Sequence, residues 1–223
     1  MQSIIFFHRS VGHNLINDGN LYRLIGDTSK FTFNDYDQNS DVLTDSNSKQ
    51  QSMGFVFPGG NTRPQDLSVI FSDNVPKECK PIQDEALRHD IIIVKSCYPN
   101  SNIQSVEELE TIKKHYQSVC DFFVKHNKKL VILTSPPLIP FMTKSDRANR
   151  ARQLADWLVS SEFGDNIKVF DFFNLLATSK DKRRANMLKK EYRRWLPFDS
   201  HPNIQASKEI APKLVRFLQE TYK

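Results

Sequence analysis

The 223-residue chain is 39% hydrophobic, 11% aromatic and 26% charged, ordinary globular usage that excludes a disordered or fibrous protein. Its net charge of +5 sets 31 basic against 26 acidic residues, too even a balance to call for a nucleic-acid partner, and no apolar run approaches the ~18 residues of a membrane span. One core suffices at this length, so a single domain over residues 1–223 is expected.

The first element is an apolar run, SIIFF at residues 3–7, which reads as a buried strand. It is too short for the apolar region of a secretory signal, so a cytoplasmic protein with no membrane partner is expected unless a leader precedes Met1. HRSVG follows, with Ser10 ahead of Gly12 and a helix predicted from about Asn14. A lone serine there is more often a helix cap than a nucleophile.

Residues 31–57 hold FTFNDYD and FVF, a less certain fifth strand, around the polar tract QNSDVLTDSNSKQQS, which reads as a surface loop. FPGGNTRP at residues 57–64 then places paired glycines after an apolar triplet. They allow close backbone approach to a substrate oxygen, or simply a tight turn.

Further strands are predicted at residues 90–96, 129–135 and 167–173, continuous β-branched and aromatic runs of the kind buried on both faces of a parallel sheet. The second strand ends in KSCYPNSN, offering Asn100 as a side-chain donor or a helix cap, with Asn102 less well placed. Val106, Leu109, Ile112, Tyr116, Val119, Cys120 and Phe123 recur at helical spacing. So do Ala148, Ala151, Leu154, Ala155 and Leu158, and then Ile210, Ala211, Leu214, Val215 and Leu218. Pro212 should kink this last helix or lie near its first turn. The alternation of strands and helices implies right-handed crossovers and a three-layer α/β/α sandwich.

The basic stretch at residues 180–194 reads as a solvated surface helix whose apolar stripe includes Met187, Leu188 and Trp195. Cys79, Cys97 and Cys120 have no metal-site spacing and read as reduced, buried thiols. Near the end, FDSHPN sets Asp199 two residues before His201, with Asn203 as the N-cap of the last helix. A serine nucleophile needs an imidazole to take its proton, and that imidazole needs a carboxylate to fix its tautomer. In extended chain, residues two apart share a side, so Asp199 and His201 can supply both.

Together and in this order, these four segments resemble the SGNH/GDSL hydrolase family, over most of the chain. The first block reads HRSVG where the family has Gly-Asp-Ser, and the third reads CYPNS where Gly-x-Asn-Asp is usual. The chain is more similar to a divergent branch with HSxG and KSCFPNS stretches. The resemblance implies a flavodoxin-like parallel sheet of about five strands, Ser10 as nucleophile, and Asp199 and His201 as its partners. Ser10 N–H, Gly60 N–H and the Asn100 side chain would share the oxyanion. It further implies an esterase or deacetylase acting on a small-molecule or carbohydrate acyl ester, with no metal or organic cofactor. Two alternatives stand beside this reading: a non-catalytic binding module on the same fold, and a metal-dependent hydrolase with His8, His13, Asp199 and His201 as ligands.

Overall fold

The structure, a computed structural model, describes residues 1–53, 57–60, 62–179 and 183–222. Strand β1 (Gln2–His8) leads into α1 (Ser10–Asn17) and α2 (Leu21–Gly26), and β2 (Phe31–Asp37) is followed by the short strands β3 (Val42–Thr44) and β4 (Gln50–Ser52). Helices α3 (Pro64–Ile70) and α4 (Lys80–Leu87) precede β5 (Ile91–Lys95) and the long α5 (Val106–Lys125). Next come β6 (Lys129–Leu133), α6 (Ser145–Ser160), β7 (Ile167–Phe170), α7 (Phe172–Leu176) and finally α8 (Ile204–Thr221).

The seven strands form one sheet in the order β4-β3-β2-β1-β5-β6-β7. β2, β1, β5, β6 and β7 are parallel. In chain order these five run second, first, third, fourth, fifth, the flavodoxin arrangement. Successive strand residues point to opposite faces, and the cores divide accordingly. Ile5, Phe7, Ile92, Val94, Leu130 and Ile132 pack under α3, α4 and α5. Ile4, Phe6, Ile91, Ile93, Val131 and Leu133 pack under α1, α2 and α8. The unbroken apolar runs are therefore strands covered on both sides.

The structure corrects the reading of several elements. The polar tract is not a plain surface loop, because β3 pairs antiparallel with β2, and β4 with β3. Leu43 anchors it in the core, and Asp45 closes its turn by accepting from the N–H groups of Asn47 and Lys49. Phe55 and Val56 of FVF lie outside the described residues. The strand predicted over residues 167–173 stops at Phe170, because the Asp171 side chain accepts from Asn174 N–H and starts α7. Of the two placements expected for Pro212, the structure has it inside α8, in the middle and on the exposed side, and not near the first turn.

The basic stretch is not a helix over its described part. Leu188 is held extended by a bridge to Ala177 and by donating to Leu138 O, and only Lys190–Tyr192 turn as a 3-10 helix. Met187 and Leu188 are buried, but Trp195 is 98% exposed. All three cysteines are free and buried.

Candidate active site

The parallel strands all end at one edge, where loops lead into helices. β1 ends at His8, and α1 begins at Ser10, four residues earlier than expected, with Arg9 as its N-cap. Ser10 is therefore the first helical residue and not the cap. At that position its N–H has no intrahelical acceptor and points out of the helix end. The close seat of α1 on β1 depends on Gly12, where a Cβ would lie 2.3 Å from the Cβ of His8.

On the far side of the edge, the chain approaching α8 is held by Asn203. Its side chain accepts from Ala206 N–H at 3.0 Å, as predicted for an N-cap, and donates to the carbonyls of Glu191 and Arg193. Ser200, fully buried, accepts from Ile139 N–H in the loop after β6 at 3.1 Å. On the segment held by these anchors, Asp199 Oδ1 accepts from the backbone N–H of His201 at 2.8 Å and from its ring Nδ1. Because a carboxylate only accepts, Nδ1 is the donor, and in the neutral ring Nε2 holds the lone pair.

Burial opposes ionisation of Asp199. The His201 N–H, the His201 ring and Arg194 outweigh it and hold the carboxyl below its ordinary range. Arg194 Nη1 stands 3.7 Å from Asp199 Oδ2.

The turn after β5 meets this dyad. Asn100 sits in the 3-10 turn Tyr98–Ser101 and borders a small cavity with Thr134, Ser135 and Ala151 of the loop after β6 and α6. Two residues before it, Tyr98 stands edge-on to the His201 ring at 4.9 Å between centroids and 83° between planes. Burial and the neighbouring Asp199 charge push the Tyr98 hydroxyl up. The sequence reading gave Tyr98 no role and Arg194 only a place in the solvated basic stretch, since an aromatic or an arginine in a loop has no periodicity to mark it.

Gly60 faces Arg9, whose Nη1 would be 3.4 Å from a Cβ built on the glycine, so the GG turn lies against the Ser10 loop. The positive φ of +67° belongs to Gly59, where an added Cβ would strike Asp66 and Arg63. Asn102 is taken up elsewhere, its Oδ1 accepting from Thr143 at 3.2 Å.

The metal-ligand alternative finds no assembled site. His8, fully buried, pairs with Asp35 at 2.8 Å, His13 with Asp37 at 3.4 Å, and His201 with Asp199. Three histidines on three different carboxylates do not converge, and no group of three or more such ligands comes together among the described residues.

No protein-family model and no curated protein matches the sequence. Solved structures do match in fold. A G-D-S-L family protein from Desulfitobacterium hafniense DCB-2 superposes with a TM-score of 0.57 at 14% identity, over 97% of this chain and 99% of that one. A GDSL-like lipase from Bacteroides thetaiotaomicron VPI-5482 gives 0.57 at 9% identity, over 100% of this chain and 89% of that one. An acetyl xylan esterase gives 0.53 at 17% identity, over 97% and 99%. At such identities the likeness is one of fold.

Proposed function

We propose that this chain, which has the fold of the SGNH/GDSL hydrolases, is a divergent serine esterase of that family cleaving small-molecule or carbohydrate acyl esters. The observation that carries the reading is the hydrogen bond of Asp199 to the His201 ring, in a segment that contacts the loops after β5 and β6 at the sheet edge where Ser10 opens α1; Nε2 would then be free to act as base. In this reading Nε2 takes the Ser10 proton as Oγ attacks the ester carbonyl. The alkoxide leaves with that proton, and the base then activates water against the acyl-enzyme.

The developing oxyanion would be met by Ser10 N–H at the positive end of α1, by Gly60 N–H and by the Asn100 amide. Removing one such donor typically costs ~3 kcal/mol of transition-state stabilisation. Nucleophile, base and orienting carboxylate are all side chains of this chain, so the reaction needs no bound group. Covalent labelling of Ser10 by a fluorophosphonate tests the proposal, followed by a screen of short acyl esters. Labelling that survives Ser10→Ala would end it.

A further inference from the structure

We propose that the rim beside the His201 loop docks peripherally on an anionic lipid surface. Two chain segments meet there. Residues 195–198, Trp-Leu-Pro-Phe, are all exposed, Trp195 at 98%, Leu196 at 60% and Phe198 at 73%. Phe141, in the loop after β6, is 78% exposed. The loops are joined beneath by Ser200, which contacts Ile139 N–H and Met142 Sδ, and by Leu188 N–H donating to Leu138 O.

Phe141, Trp195 and Phe198 are the exposed phenylalanine and tryptophan side chains among the described residues, and they stand on two loops that Ser200 bonds together. A soluble domain scatters exposed apolar residues singly; a cluster of protruding aromatics marks a contact surface.

Charge decides which contact. In residues 183–194, Arg183, Arg184 and Lys190 are exposed, with Glu191 as the one acid, while Lys189, Arg193 and Arg194 are part-buried on Leu175 O, Leu188 O and Asp199. Tryptophan and phenylalanine settle at the headgroup boundary of a bilayer, while nearby cations are drawn to anionic lipids. Protrusions carried on two separate loops suit a fluid surface that moulds around them, and the two signals together give binding that neither gives alone. No helix among the described residues is long and apolar enough to cross a membrane. Surface docking departs from the expectation drawn from composition, which registers spans but not the exposure of a four-residue loop.

Docking goes beyond the hydrolase reading and is tested separately from it. The full chain is sedimented with vesicles of phosphatidylcholine alone or mixed with phosphatidylglycerol, at low and high salt. Binding to the mixed vesicles is expected, lost at high salt and weak on the neutral ones. Trp195→Ser with Leu196→Ser should weaken it about tenfold or more, and Phe141→Ser, on a different loop, should weaken it independently. Arg184→Glu with Lys190→Glu should weaken only the anionic component.

These side chains are exposed and stand outside the proposed catalytic machinery, so hydrolysis of a soluble short ester should be unchanged. Equal, salt-insensitive binding to both vesicles, or none to either, overturns the proposal. Concentration-dependent dimerisation abolished by the same apolar variants, without vesicle binding, assigns the rim to a second copy and overturns it as well. Vesicle binding by a chain that hydrolyses no ester leaves the docking standing and removes the hydrolase reading.

Discussion

Asp199 holds His201 twice through a single oxygen, by the backbone N–H and by the ring Nδ1. The two bonds fix the loop and the imidazole together, so the carboxylate acts on both the conformation and the tautomer of its neighbour. That arrangement frees Nε2 for Ser10 in the proposed chemistry.

Ser10→Ala and His201→Ala should each remove nearly all ester hydrolysis, and the double variant should be little worse than either, because the two act as one unit. Initial rates on a short acyl ester measure this. Activity retained in Ser10→Ala would make Ser10 an ordinary first-turn residue.

Asp199→Asn should lose less activity than Ser10→Ala, since the base is misoriented and not absent. Its stability effect depends on pH in a defined sense. The Asp199 carboxyl titrates lower in the folded protein than in the unfolded chain, so it contributes stability above the ordinary carboxylate range of ~4. That contribution is lost as pH falls through the depressed folded value. Urea midpoints of wild type and Asp199→Asn should therefore differ near neutrality and converge in acid.

Tyr98→Phe should keep the edge contact with His201 and most of the activity, whereas Tyr98→Ala should lower kcat about tenfold or more by letting the ring drift. A parallel loss in both variants would assign the effect to the hydroxyl instead.

Gly12→Ala should destabilise the protein by ~1–3 kcal/mol, since its Cβ would press into His8 and lift α1 from β1. Gly26→Ala is the control: nothing lies within 4 Å of its Cβ, and alanine favours the helix by up to ~1 kcal/mol. Denaturant melts of the two variants should move in opposite directions.

Lys95 is fully buried at the end of β5, where its Nζ reaches only Ser96 O at 3.2 Å and Cys97 Sγ at 3.5 Å among the described contacts. Burial pushes its titration below the ordinary lysine value, with Cys97 opposing the shift. Below that depressed value the folded state carries a buried ammonium that the unfolded chain keeps in water. Lys95→Met should therefore raise stability most at pH values below that folded value. The advantage should shrink as pH rises from the folded value toward the ordinary one, where both states are neutral. Denaturant midpoints across alkaline pH check the trend.

The sequence alone determined the elements whose signal is repetition. Unbroken apolar runs marked four parallel strands because both faces of the sheet are covered, and helical spacing marked α5, α6 and α8 because one face of each is buried. Asn203 as a cap was legible for the same local reason: its side chain bonds a backbone N–H three residues on. What needed the tertiary structure was everything set by chain-distant contacts. Polar residues 38–52 became a sheet extension because β2 offered a free edge, and residues 183–194 did not close into a helix because Leu138, Ala177 and Asn203 hold the backbone of Leu188, Glu191 and Arg193. The placing of Tyr98 on His201, and of Phe141 beside the loop of Trp195, has no imprint in local spacing. Such pairs are fixed only when strands distant in sequence close one sheet and bring their ends to a common edge.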